Sequence, residues 1–129
     1  MPKMSVEEIQ SGLAQFYGTE GYHRLSPFHG PLVVTDGVAW LCEKAECFWL
    51  LDEIAMAQPK CMKDRMLREH QFWTLRVNPD KSATLICERD SGNVFSTKEI
   101  PFSDFPMAEV KIWVEPGERY LVALLPSEH

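Results

Sequence analysis

The stretch Val33–Ala57, VVTDGVAWLCEKAECFWLLDEIAMA, decides how the rest of the chain is read. It holds two of the four tryptophans and two of the four cysteines. Val38, Leu41, Cys42 and Ala45 stand at i, i+3, i+4 and i+7, the spacing of one helix face. Cys47, Leu50, Leu51 and Ile54 repeat it. At about 100° per residue, the second quartet points roughly 180° away from the first. One helix buried on both sides would satisfy this pattern, and so would two short helices meeting at a bend between Ala45 and Cys47. Trp40 lies on the second quartet's face and Trp49 on the first's, so both faces are apolar throughout. The two-helix reading is preferred, and in either case the stretch is core.

Working outward, Thr35 is placed to cap the helix that begins at Asp36, whose carboxylate complements the positive end of the helix dipole. Leu32–Val34 reads as a short strand. Before it lies a long loop, residues 17–31, YGTEGYHRLSPFHGP, with three glycines and two prolines. Loops of this length without regular structure are usually mobile or functional. Further upstream, Ser5 and Glu8 form a capping box, and Val6, Ile9, Leu13 and Phe16 make an apolar stripe. A first helix is therefore predicted over residues 5–17, stopped by Gly18.

Downstream, Pro59 is expected to end the helical region. Residues 60–70 fit either one helical turn or an extended link. From Gln71 the period changes to two. Trp73, Leu75 and Val77 alternate with polar residues, Asn78-Pro79-Asp80-Lys81 is turn chemistry, and Ala83, Leu85 and Cys87 alternate again. A third strand is predicted from Val94 to Ile100, a fourth over Val110–Val114, and an apolar fifth from Tyr120 to Leu125. Between the third and fourth, PFSDFP at 101–106 should lay its two phenylalanines over a sheet edge. The predicted fold is α+β, with N-terminal helices packed on a C-terminal antiparallel meander of about five strands. Residues 1–129 read as one domain.

Composition excludes several roles. The net charge of −6 argues against direct contact with a nucleic-acid backbone, which needs clustered cations. Residues 59–76 alone are locally basic, with five Lys or Arg against two carboxylates, and read as a solvated connection. No apolar run is long enough to span a bilayer. The opening residues read as a capped polar helix instead of a secretory leader, so a cytoplasmic location is expected. Cys42, Cys47, Cys61 and Cys87 form no CxxC pair and read as buried, reduced core thiols.

For chemistry, the loop is the best candidate. It offers Tyr22, His23, Arg24 and His29, with Asp36 just beyond, and a His–Asp pair could move a proton. No nucleophile motif accompanies them, so no catalytic residue is assigned. A metal site drawn from the cysteines with His23, His29 and His70 lacks the close ligand pairs of zinc sites, and no metal is expected. No phosphate-binding glycine motif is present, and no cofactor is expected.

TDGVAWLCEKAECFWLLDEIA, FWTLRVNPDKSATLICERDSG, DFP and the closing LLPSE together resemble a family of small uncharacterised bacterial and phage- or plasmid-borne domains. The resemblance runs from about Phe16 to the end of the sequence. It implies one α+β domain and a mobile-element origin, and it carries no activity. Glu46 stands where a small residue is expected. The function expected is that of a non-enzymatic accessory domain binding a protein partner or itself, with Tyr, Phe, Trp, Met and Arg of the 17–31 and 60–73 segments as the contact residues. The rival is a small enzyme or ligand-binding protein with a pocket between the 17–31 loop and the sheet.

Overall fold

A computed structural model describes residues 5–13, 21–26, 29–117 and 119–129. The first helix, α1, runs Val6–Leu13. Its capping box is formed: the Glu8 amide donates to Ser5 Oγ at 3.2 Å, and the Ser5 amide donates to Glu8 Oε1 at 3.3 Å. The predicted end of this helix, at 17, lies outside the described residues. Gly12 meets Trp40 so closely that an added Cβ would overlap the indole ring, which seats α1 on the next helix.

The central stretch is two helices. β2 (Leu32–Thr35) runs straight into α2 (Asp36–Ala45), and α3 follows at Phe48–Cys61. Thr35 caps α2 as expected, its Oγ1 accepting from the Val38 amide. The bend is made by Glu46, which sits in the left-handed region at φ 53°, ψ 47° and donates its N–H to the Cys42 carbonyl. That turn lets both apolar quartets face one core: Val38, Leu41, Cys42 and Ala45 are buried, and so are Cys47, Leu50, Leu51 and Ile54. A left-handed residue with a Cβ costs about 1 kcal/mol relative to glycine. Glu46 is exposed, so Glu46→Gly should stabilise the fold by about 1 kcal/mol, seen as a higher urea midpoint at unchanged slope.

Pro59 does not end the helical region. It lies inside α3, which continues to Cys61. The proline forfeits its own N–H bond to the preceding turn, and the helix ends two residues later. The ambiguous segment contains α4 (Arg65–Glu69), capped by Asp64, whose Oδ1 accepts from Met66 N and Leu67 N at 3.0 and 3.1 Å. Asp64 Oδ2 accepts from Arg89 Nε at 2.8 Å, and this guanidinium holds the Asp64 carboxyl below the usual carboxylate range.

The sheet corrects the expected meander. It has seven strands, adding β1 (Tyr22–His23) and β2 to β3 (Gln71–Val77), β4 (Ala83–Asp90), β5 (Asn93–Ile100), β6 (Glu109–Pro116) and β7 (Leu121–Leu124). Their order is β1-β2-β7-β6-β3-β4-β5. Only β3-β4-β5 is a simple meander; β6 crosses to the other side of β3, and β2 pairs with β7 in parallel. β2 is the short strand read at Leu32–Val34, extended by Thr35 and buried at all four positions. Of the two phenylalanines in the crossing segment only Phe105 is buried, at 4% exposure, while Phe102 is 66% exposed.

One sheet face carries Trp73, Leu75, Leu85, Cys87, Ile112, Val114 and Ala123, which join the buried residues of α2 and α3 in a single core. A buried polar tie crosses it. Gln58 and Gln71 exchange amide hydrogen bonds at 2.9 and 2.8 Å, and Trp73 Nε1 donates to Gln71 Oε1 at 2.8 Å. All four cysteines are buried free thiols. The bend sets Cys47 beside Cys42, and their hydrogen bond together with burial pushes the Cys42 thiol up, away from the reactive thiolate. The last residues are fastened to α2. After β7 a short 3-10 turn, Pro126–Glu128, places the buried Glu128 carboxylate over the α2 N-terminus. Glu128 accepts from Thr35 Oγ1 at 2.5 Å and from the Gly37 and Leu125 amides at 3.1 Å each. A Cβ at residue 37 would lie 2.5 Å from Glu128 Oε1, so glycine is required there by close approach.

Candidate functional site

The parallel β2–β7 pairing builds the site. Because successive strand residues point to opposite faces, Tyr22 and His23 of β1 part company. Tyr22 turns to a groove of about 480 Å³ that it lines with Val33, Gly117, Arg119, Tyr120 and Val122. Tyr22 is 62% exposed and Tyr120 45%. Val33 and Val122 are register partners and form the floor. Arg24 lies over the Tyr120 ring, 5.5 Å from its centroid, a cation–π distance. Among the described residues neither Arg24 nor Arg119 has a carboxylate partner. The groove thus presents two phenol rings and two guanidinium groups on a chain of net charge −6.

His23 faces the other way, with Nε2 2.7 Å from Asp36 Oδ1. The His–Asp contact read from the sequence is therefore formed, at the start of α2, with both side chains a third to a half exposed. His29 does not join it. Its Nε2 is 2.7 Å from Asp52 Oδ1 on α3, and the imidazole is buried. His29 and Asp52, with Ser26, Trp49 and Met56, border a second cavity of about 520 Å³. The five sequence candidates thus separate: Tyr22 and Arg24 at the groove, His23 with Asp36 behind it, and His29 apart, against Asp52 of α3.

Two residues that complete the groove, Arg119 and Tyr120, escape the sequence reading. Tyr120 precedes the last strand, which begins at Leu121 and not at the expected Tyr120, and Arg119 stands in no motif. Nothing local marks them, because they meet Tyr22 only through the parallel strand pair. Of the expected 60–73 contact segment, Met66 is exposed at 44% beside the exposed Arg65 and Arg68. No helix among the described residues is long and apolar enough to cross a membrane.

A family model described as a family of unknown function, DUF6876, matches residues 7–129. The chain belongs to the DUF6876 family. No curated protein and no solved structure matches it. The DUF6876 description carries no activity.

Proposed function

We propose that this DUF6876 chain is a small, single-domain cytoplasmic accessory protein, of the kind carried on mobile elements, that acts by binding without catalysis. Its ligand is an acidic segment of a partner protein, held in the groove between Tyr22 and Tyr120. The observation that carries this reading is the pairing of two exposed tyrosines with Arg24 and Arg119 around one concave apolar floor. Tyrosine and arginine are the residues that dominate binding energy at protein interfaces. Guanidinium groups match carboxylates in geometry as well as charge. A second copy of the chain is itself acidic and is one such partner. The buried free thiols support a reducing compartment. The overall negative charge weighs against a nucleic-acid ligand.

The test is the affinity of the purified chain for a fluorescent Asp/Glu-rich peptide, followed by anisotropy. Tyr22→Ala combined with Tyr120→Ala should weaken binding by at least about tenfold, with an unchanged melting temperature. Binding that is unaffected by the pair of substitutions would remove the groove from consideration. Sedimentation velocity on the same variants reads self-association.

A second reading, a small enzyme or ligand-binding protein with a pocket between the loop and the sheet, has the 2.7 Å His23–Asp36 contact in its favour. Among the described residues no nucleophile joins that pair, and the half-exposed imidazole is not shielded from water.

A further inference from the structure

The sheet face opposite the helices holds a cluster that neither the groove nor the core uses. His70, at the end of α4, and Glu115, on β6, flank the Gln71–Val114 register pair, so the strand pairing sets them side by side. His129 follows the 3-10 turn that Glu128 fastens to α2. Glu115 Oε2 is 3.1 Å from His129 Nε2 and 3.5 Å from His70 Nδ1. One donor atom from each of the three side chains lies within 4.8 Å of the others.

We propose that His70, Glu115 and His129 form a binding site for one first-row divalent cation of the zinc class, with at least one coordination position left open. The donor set is two imidazoles and a carboxylate, the combination that suits zinc with three protein ligands. For metal–ligand bonds of about 2.0–2.1 Å, tetrahedral donors sit about 3.3–3.4 Å apart. The two separations, 3.1 and 3.5 Å, bracket that edge length. The exposed His129 supplies the movement needed to close the third edge.

The rings are held by packing. His70 stacks on Phe72 at 4.2 Å between centroids and meets the Trp113 edge at 5.3 Å, while His129 meets the same indole at 5.4 Å. His70 Nε2 is buried without a hydrogen-bond partner, so the imidazole is not already committed to another protein group through that atom. The sequence could not show this site by spacing, because its ligands come from three separated elements. The site is independent of the groove reading, and either can fail alone.

The experiment is calorimetric titration of the full chain, stripped with chelator, against Zn²⁺, with Mg²⁺ as the control ion and Co²⁺ absorption to report the donors. One equivalent of Zn²⁺ should bind with micromolar or tighter affinity and raise the melting temperature, and Mg²⁺ should not. Glu115→Gln and His129→Ala should each weaken binding by at least about tenfold, while His23→Ala leaves it unchanged. His129 is exposed, so its variant also answers whether a loss at Glu115 reflects only misfolding. The Co²⁺ spectrum should lack thiolate charge-transfer absorption. No saturable binding, equal binding by both variants, or a thiolate band would each overturn the assignment.

Discussion

Glu128→Ala should destabilise the fold by about 3 kcal/mol, the largest effect expected of any single side chain near the end of the described residues. The carboxylate is buried at 7% exposure and accepts from Thr35 Oγ1 and from two backbone amides, Gly37 and Leu125. It also lies at the positive end of α2, where a negative charge is favoured. Removing it leaves buried donors without acceptors, and each hydrogen bond to a charged group is worth about 1.5–3 kcal/mol. Water entering the space recovers part of that loss, which is why the total falls short of the sum. Glu128→Gln keeps the shape and one acceptor, and should cost about half as much. Urea unfolding of the three proteins measures this directly. A loss below about 1 kcal/mol for the alanine variant would mean that the final turn is not fastened to α2.

Gln71→Leu should be comparably harmful, at about 3 kcal/mol. Gln71 is fully buried and joins α3 to β3 through its amide exchange with Gln58, while its oxygen also accepts the Trp73 indole N–H. Leucine would leave Gln58 and Trp73 with buried polar atoms and no partner. Gln58 retains one bond, to the Ile54 carbonyl at 3.0 Å, so it does not lose everything. The double variant Gln58→Leu with Gln71→Leu should lose less than the sum of the single changes, because replacing both partners removes the orphaned amide. A double-mutant cycle by denaturant melts checks this. Strict additivity would show that the two amides do not depend on each other.

These two ties also show what a single sequence discloses. The bend in the central stretch was legible because two apolar quartets pointed to opposite faces, and no straight helix could bury both cheaply. The β3–β4 hairpin was legible because Trp73, Leu75 and Val77 alternate cleanly and Asn78–Lys81 is turn chemistry. Pro59 misled because a proline weakens a helix without having to end it, and α3 runs two residues past it. β1 was hidden by length, since two residues carry no period, and β2 was legible as a short strand but not its parallel pairing with β7. The Glu128 clasp was hidden because it joins residues 91 and 93 positions apart.

The candidate site divides along the same line. Tyr22 and Arg24 stood out within a glycine- and proline-rich loop, and residue types suggested a His–Asp pair without choosing between His23 and His29. Arg119 and Tyr120 became visible only with the parallel β2–β7 register, which no local pattern encodes. His29 was grouped with Asp36 by proximity in sequence, whereas the fold gives it Asp52 one helix further on.

The binding account is tested most directly by amide and side-chain NMR shifts of the labelled chain on addition of an Asp/Glu-rich peptide. Shifts should concentrate at Tyr22, Arg24, Gly117, Arg119 and Tyr120 and vanish in the Tyr22→Ala, Tyr120→Ala variant. Shifts confined to the basic 59–76 segment, or unchanged with a neutral peptide of the same length, would contradict it.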